Sequence, residues 1–130
     1  MKGYKRHNFY IRVKKAGEPY LEVHTAGYIT VREGVTYACE RQPVEGKELR
    51  WNVWHVLTGL RVNTEPLRTS QDVEEFLTNL DHAQIVQAAL RIYEQEKMTK
   101  DFYASGMRTL GRVKVEEEFS LYNSYGKVGL

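Results

Sequence analysis

The chain has one cysteine, three prolines and no unbroken apolar stretch of membrane-spanning length. A lone thiol, Cys39, cannot close an intrachain disulfide, so no oxidising compartment is implied. A spanning helix needs roughly 18 or more apolar residues in a row, and none is present. The N-terminal stretch MKGYKRHNFYIRVKK lacks the apolar centre of a signal peptide, and a cytoplasmic protein is expected. Metal-ligand spacing is missing as well. His7, His24, His55 and His82 form no HxH, HExxH or CxxC pattern, although His24 and His55 would meet if their strands were neighbours. Ten glycines are scattered without a phosphate-cradling loop. No metal and no cofactor are expected, and there is no internal repeat.

What is present fits a single domain with an independent core. The 130 residues are 42% apolar and 28% charged, and a chain of this length buries roughly two-thirds of its unfolded surface. Net charge is only +2, but residues 1–62 hold eleven Lys and Arg against six acids, whereas residues 63–130 hold eight against eleven. Such asymmetry is where composition speaks to partners.

The first half reads as strands. FYIRV (9–13) alternates Phe9, Ile11 and Val13 with Tyr10, Arg12 and Lys14. After the AGEP turn, YLEVHT (20–25) places Leu21 and Val23 inward, and YITVRE (28–33) is a third strand or a continuation past Gly27. VTYACE (35–40) follows the Gly34 turn, and QPVEGKE (42–48) reads as a loop. WNVWHVLTGLRV (51–62) is apolar on both faces, so it predicts a central strand, a Thr58-Gly59 turn and a short return strand, with Trp51 and Trp54 in the core.

The second half reads as helices. Thr69 or Ser70 can cap a helix, and Thr69 with Asp72 approximates a capping box. Asp81 caps a longer amphipathic stretch extending through Phe102 and Tyr103 until Ser105-Gly106 stops it. GRVKVEEEF (111–119) alternates Val113 and Val115 with charges, as an edge strand would. The expected fold is α+β: an antiparallel sheet of four to six strands packed against two helices, about 70–80 and 82–104. Residues 1–110 form the domain, and 111–130 supply an edge strand and a mobile tail, which leave a homodimer open.

No residue set identifies a reaction, and no catalytic residue is assigned. The candidate binding residues are Lys5, Arg6, Tyr10, Arg12, Lys14, Lys15 and Tyr20, a basic, tyrosine-bearing N-terminal hairpin. Cations on that face would meet an acidic protein surface, or meet phosphates while aromatics stack on bases. A third alternative is a cysteine-dependent enzyme pairing Cys39 with a histidine. Glu116–Glu118 and the tyrosines Tyr4, Tyr122 and Tyr125 read as surface.

WNVWHVLTGLRV followed by TSQDVEEFLTNL is similar to a hairpin-helix pattern of small phage and mobile-element proteins, over residues 51–80. That resemblance implies an accessory protein that blocks a host defence or nucleic-acid-handling complex, such as an RNA-guided nuclease, as anti-CRISPR proteins do. It carries no functional residue with it.

Overall fold

The computed structural model describes residues 3–14, 16–44, 48–65, 67–98 and 103–128. Five antiparallel strands run in sequence order across one sheet: β1 Lys5–Val13, β2 Leu21–Arg32, β3 Val35–Val44, β4 Glu48–His55 and β5 Leu60–Arg61. Four helices follow among the described residues: α1 Ser70–Asn79, α2 His82–Glu96, α3 Ala104–Leu110 and α4 Arg112–Val128. The class is α+β, as the alternation of the first half and the helical spacing of the second require.

Strand β2 continues past Gly27 because the missing side chain admits the neighbouring backbone. A Cβ at Gly27 would lie 2.2 Å from the Cys39 carbonyl oxygen. Glu33 and Gly34 both take positive φ, 51° and 79°, the two-residue turn that matches strand twist and sets the β2–β3 register. Of the expected loop at 42–48, residues 42–44 and 48 are strand, since β3 runs through Pro43 to Val44 and β4 starts at Glu48. Residues 45–47 lie outside the described residues. Leu21, expected inward, opens β2 and is 65% exposed.

The sheet curls until its two ends touch. Arg12 N–H donates to the Gly59 carbonyl in the β4–β5 turn (2.7 Å), and Tyr10 N–H donates to Thr109 Oγ1 of α3 (3.0 Å). Both bonds cover the outer edge of β1 where an open ladder would invite pairing.

Central strands β3 and β4 are buried on both faces over Val35–Glu40 and Trp51–His55, as the apolar Trp51–Val62 stretch predicts for β4. One cluster joins Tyr37, Cys39, Trp51 and Val53 to Val73, Leu77, Val86, Val115 and Tyr122 of the helices. The other gathers Phe9, Ile11, Ala38, Trp54 and Val56, with Leu110 against them. Alternate residues point to opposite faces, so Trp51 and Trp54 serve different cores and are 7% and 6% exposed.

Helix α1 begins with the capping box between Thr69 and Asp72, and α2 with Asp81 accepting from Ala83 and Gln84 N–H. The second helix departs from expectation: it ends at Glu96, and the chain is not helical at Tyr103. Residues 99–102, Phe102 among them, lie outside the described residues. Tyr103 adopts φ 54°, a left-handed conformation no helix can carry through. Its buried ring meets Tyr93 and Phe119, and its hydroxyl donates to Ala89 O (2.8 Å), which holds the break in place. Ser105 and Gly106, expected as the stop, lie inside α3. There a Cβ at Gly106 would come within 2.7 Å of Leu57 Cα.

The larger correction is the C-terminus. Residues 112–128 are helical, neither an edge strand nor a loose tail. Val115, Glu118 and Tyr122 share one helical face and are all buried, so the domain extends well past residue 110. Among the described residues, no helix is long and apolar enough to cross a membrane.

Candidate functional site

The candidate binding residues do not form one patch. Strand β1 rises about 3.4 Å per residue, so Lys5 and Arg6 stand at the far end of the strand from Lys14 and Tyr20, while Lys15 lies outside the described residues. Tyr10 and Arg12 share one face of β1, with Lys14 just past its end, as alternation predicts. The register carries that face through Tyr28, Cys39 and Val53, so it is the side of the sheet on which the helices pack.

At the distal end the site closes around Tyr20, which is 52% exposed. The Arg12 guanidinium and the Lys14 ammonium each sit 5.4 Å from the centre of its ring. Arg61 arrives from β5 because the curl brings that strand beside β1, and with Trp54 these side chains line a cavity of about 450 Å³. Arg61 was not among the sequence candidates; forty-six positions from Lys15, it carries no local signal. Arg12 is also tied inward. Its Nε donates to Thr58 O (2.6 Å) and its Nη1 to Glu96 Oε1 (2.7 Å), so Arg12 is part of the scaffold and replacing it would disturb the fold.

In mid-strand, Tyr10 stacks on His24 with ring centres 4.6 Å apart, and the Arg108 guanidinium lies 5.9 Å from the Tyr10 ring. Arg108 is itself held by Glu22. At the proximal end, Arg6 lines a second cavity, of about 420 Å³, with Tyr28, Arg41 and Trp51. Among these only Arg6 belongs to the expected set.

A different group of polar side chains is buried under α4. Thr58 N–H donates to His55 Nδ1 (3.3 Å), and the Thr58 hydroxyl is 2.8 Å from the same nitrogen. Nδ1 therefore acts as acceptor, and the imidazole proton sits on Nε2, which donates to Tyr122 Oη (2.7 Å). Tyr122 O–H in turn donates to Glu118, which also accepts from Thr36 N–H and the Thr36 hydroxyl. Burial without a compensating charge pulls His55 down to about 3 and pushes the Glu118 carboxyl and the Tyr122 hydroxyl up. His55 and Thr58 border a cavity of about 170 Å³ between β5 and α2, otherwise mostly aliphatic. The donors and acceptors of this chain serve one another, so it presents no free base to solvent. Sequence reading placed Glu118 and Tyr122 on the surface, since a buried acid interrupts the apolar period that would have marked the helix.

His24 and His55 do not meet, because β3 separates their strands. Among the described residues no three His, Cys, Asp or Glu side chains are placed to hold a metal. Cys39 is buried, and desolvation pushes its thiol up to about 12. Native protein is expected to resist alkylation at Cys39 and to label only on unfolding, which mass spectrometry after iodoacetamide at increasing urea would read. Fast labelling of the folded chain would revive the cysteine chemistry. The chain matches no family model, no curated protein and no solved structure.

Proposed function

We propose that the chain is a non-enzymatic, cytoplasmic binding protein that seats an acidic surface of a partner protein on the distal end of its β1–β2 face. The observation that supports this reading is the placing of Arg12 and Lys14 on the exposed Tyr20 ring, with Arg61 facing them across one cavity. Tyrosine offers rigid area with a polar tip, and the cations add complementarity to an acidic partner. Two cations of the face already have acids, Arg12 with Glu96 and Arg108 with Glu22. Mixed charge with tyrosine suits a protein interface better than a phosphate track, where cations stand unneutralised. The finer form of the reading, a phage-type inhibitor of a host defence or nucleic-acid-handling complex, rests on the hairpin-helix resemblance of residues 51–80.

Direct nucleic-acid binding is the second reading, favoured by the Tyr10–His24 stack beside Arg108, a platform on which a base would fit. A pull-down of tagged protein from bacterial lysate, with and without nuclease, separates the two. The expected result is a stoichiometric protein that survives nuclease and is lost in a Lys14→Glu/Arg61→Glu double variant. Nucleic acid alone, released by salt or nuclease, would move the assignment to the second reading. Retention of the same partner by the double variant would overturn the proposed surface.

A further inference from the structure

The proximal cavity, which the β1–β2 reading does not use, has the makings of a small-ligand site. We infer that it binds a phosphate monoester carrying a planar ring, with the phosphate between Arg6 and Arg41 and the ring against Tyr28 and Trp51.

Strand register puts these groups together. Arg6 pairs with Tyr28, Tyr28 with Cys39, and Arg41 with Trp51. Arg41 is two residues from Cys39 on β3, so Arg6, Tyr28, Arg41 and Trp51 all stand on one face of the sheet. Neighbouring strands lie about 4.8 Å apart, which leaves the β1 and β3 backbones about 10 Å apart. Two long guanidinium side chains therefore reach in from either side over Tyr28. The cavity they line, about 420 Å³, is within the usual size range of small-molecule sites. Its floor is aromatic, with the Tyr28 and Trp51 ring centres 6.2 Å apart and the Arg41 guanidinium 5.8 Å from the Trp51 ring. The Ser70 hydroxyl at the start of α1 adds a neutral donor.

Charge favours an anion. Among the described residues no carboxylate is ion-paired with Arg6 or Arg41. The one acid bordering the cavity, Glu40, is buried. It accepts from Trp54 Nε1 (3.1 Å) and Thr25 Oγ1 (2.9 Å), both on the opposite face of the sheet. Two planar guanidinium groups with no acid between them match a phosphate dianion, which takes paired N–H donors on several oxygens. The rings explain why an ester would bind better than the bare ion. Free nucleotide and the 5′-phosphorylated end of a nucleic acid share this chemistry.

The test is a tryptophan-fluorescence titration, since Trp51 lines the cavity. Probes are adenosine 5′-monophosphate, adenosine, inorganic phosphate and a short 5′-phosphorylated oligothymidylate. Saturable binding of the monophosphate is expected at millimolar concentration or below, with adenosine and phosphate each weaker by about tenfold or more. Arg41→Ala should lose about tenfold in affinity, the worth of one charged hydrogen-bond partner. Arg6→Ala, on an exposed strand position away from Trp51, should lose a similar factor and guards against a packing defect in the first variant. Lys14→Glu, at the distal cavity, should bind as wild type even if it abolishes partner capture, so the two sites fail separately. Tighter binding of the oligonucleotide than of the monophosphate would name a nucleic-acid end as the source, and the reverse order a free nucleotide. An unsaturable signal, adenosine binding equal to that of its monophosphate, or wild-type affinity in both arginine variants would overturn the site.

Discussion

Glu118→Ala is expected to destabilise the fold by roughly 4–6 kcal/mol, a large share of the 5–15 kcal/mol typical of a domain. Glu118 is 6% exposed. It accepts from Thr36 N–H at 3.2 Å, from the Thr36 hydroxyl and from Tyr122 O–H. Alanine would take the acceptor from three donors beside the cavity that Glu118 and Thr36 border. Each unsatisfied group costs about 1–3 kcal/mol, and the cavity adds to that. The effect would extend further because Tyr122 also receives the His55 Nε2 proton. Glu118→Gln keeps the volume and one acceptor oxygen, so it should cost only about 1–3 kcal/mol. Urea denaturation followed by far-ultraviolet circular dichroism reads both variants. A loss below about 1 kcal/mol in the alanine variant, the range of a surface change, would mean that α4 does not dock as described.

Acid should unfold the protein mainly through His55. Its imidazole is held neutral by burial, with a folded value of about 3 against roughly 6.5 in an unfolded chain. Between those values the unfolded state binds the extra proton, so stability falls as pH drops from 6.5 towards 3. The full swing is about 5 kcal/mol at 1.36 kcal/mol per unit. Glu118 acts in the opposite sense. Burial raises its carboxyl, so the folded state holds a proton longer, and stability falls as pH rises from about 4.3 through the raised value. The two slopes oppose one another above about pH 4.3, and the steepest loss is expected below it. Glu74, drawn down by its hydrogen bonds from Arg32 and Tyr4, adds to the acid-side loss, but its carboxylate is exposed and screened. Melting temperature against pH for wild type and His55→Gln tests the assignment, as glutamine can still donate to Tyr122. Parallel profiles for the two proteins would show that His55 does not carry the slope.

Several elements were legible because local chemistry determined them. The Thr69–Asp72 capping box and the Asp81 cap set two helix starts within their own first turns. Alternation set the strands, and the two-sided apolar stretch around Trp51 and Trp54 marked the central strand. The candidate site was legible only as types of residue. Arg12, Lys14 and Tyr20 were identified, but their meeting with Arg61 depends on a curl that no short window records. The wiring of Arg12 to Thr58 and Glu96 is of the same kind.

By itself the sequence determined the α+β class, an antiparallel sheet in the first half, two capped helices and an N-terminal half rich in cations. Those follow from propensity, period and capping, which act within a few residues. Tertiary structure decided the break at Tyr103, the helical state of 112–128 and the burial of Glu118. A left-handed tyrosine and a buried acid each oppose local preference. Both are held by partners far off in sequence, Ala89 for the Tyr103 hydroxyl and Thr36 for the Glu118 carboxylate. Packing against distant strands outweighed the local pattern there, because each polar group buried by the fold had to find its hydrogen bond inside it.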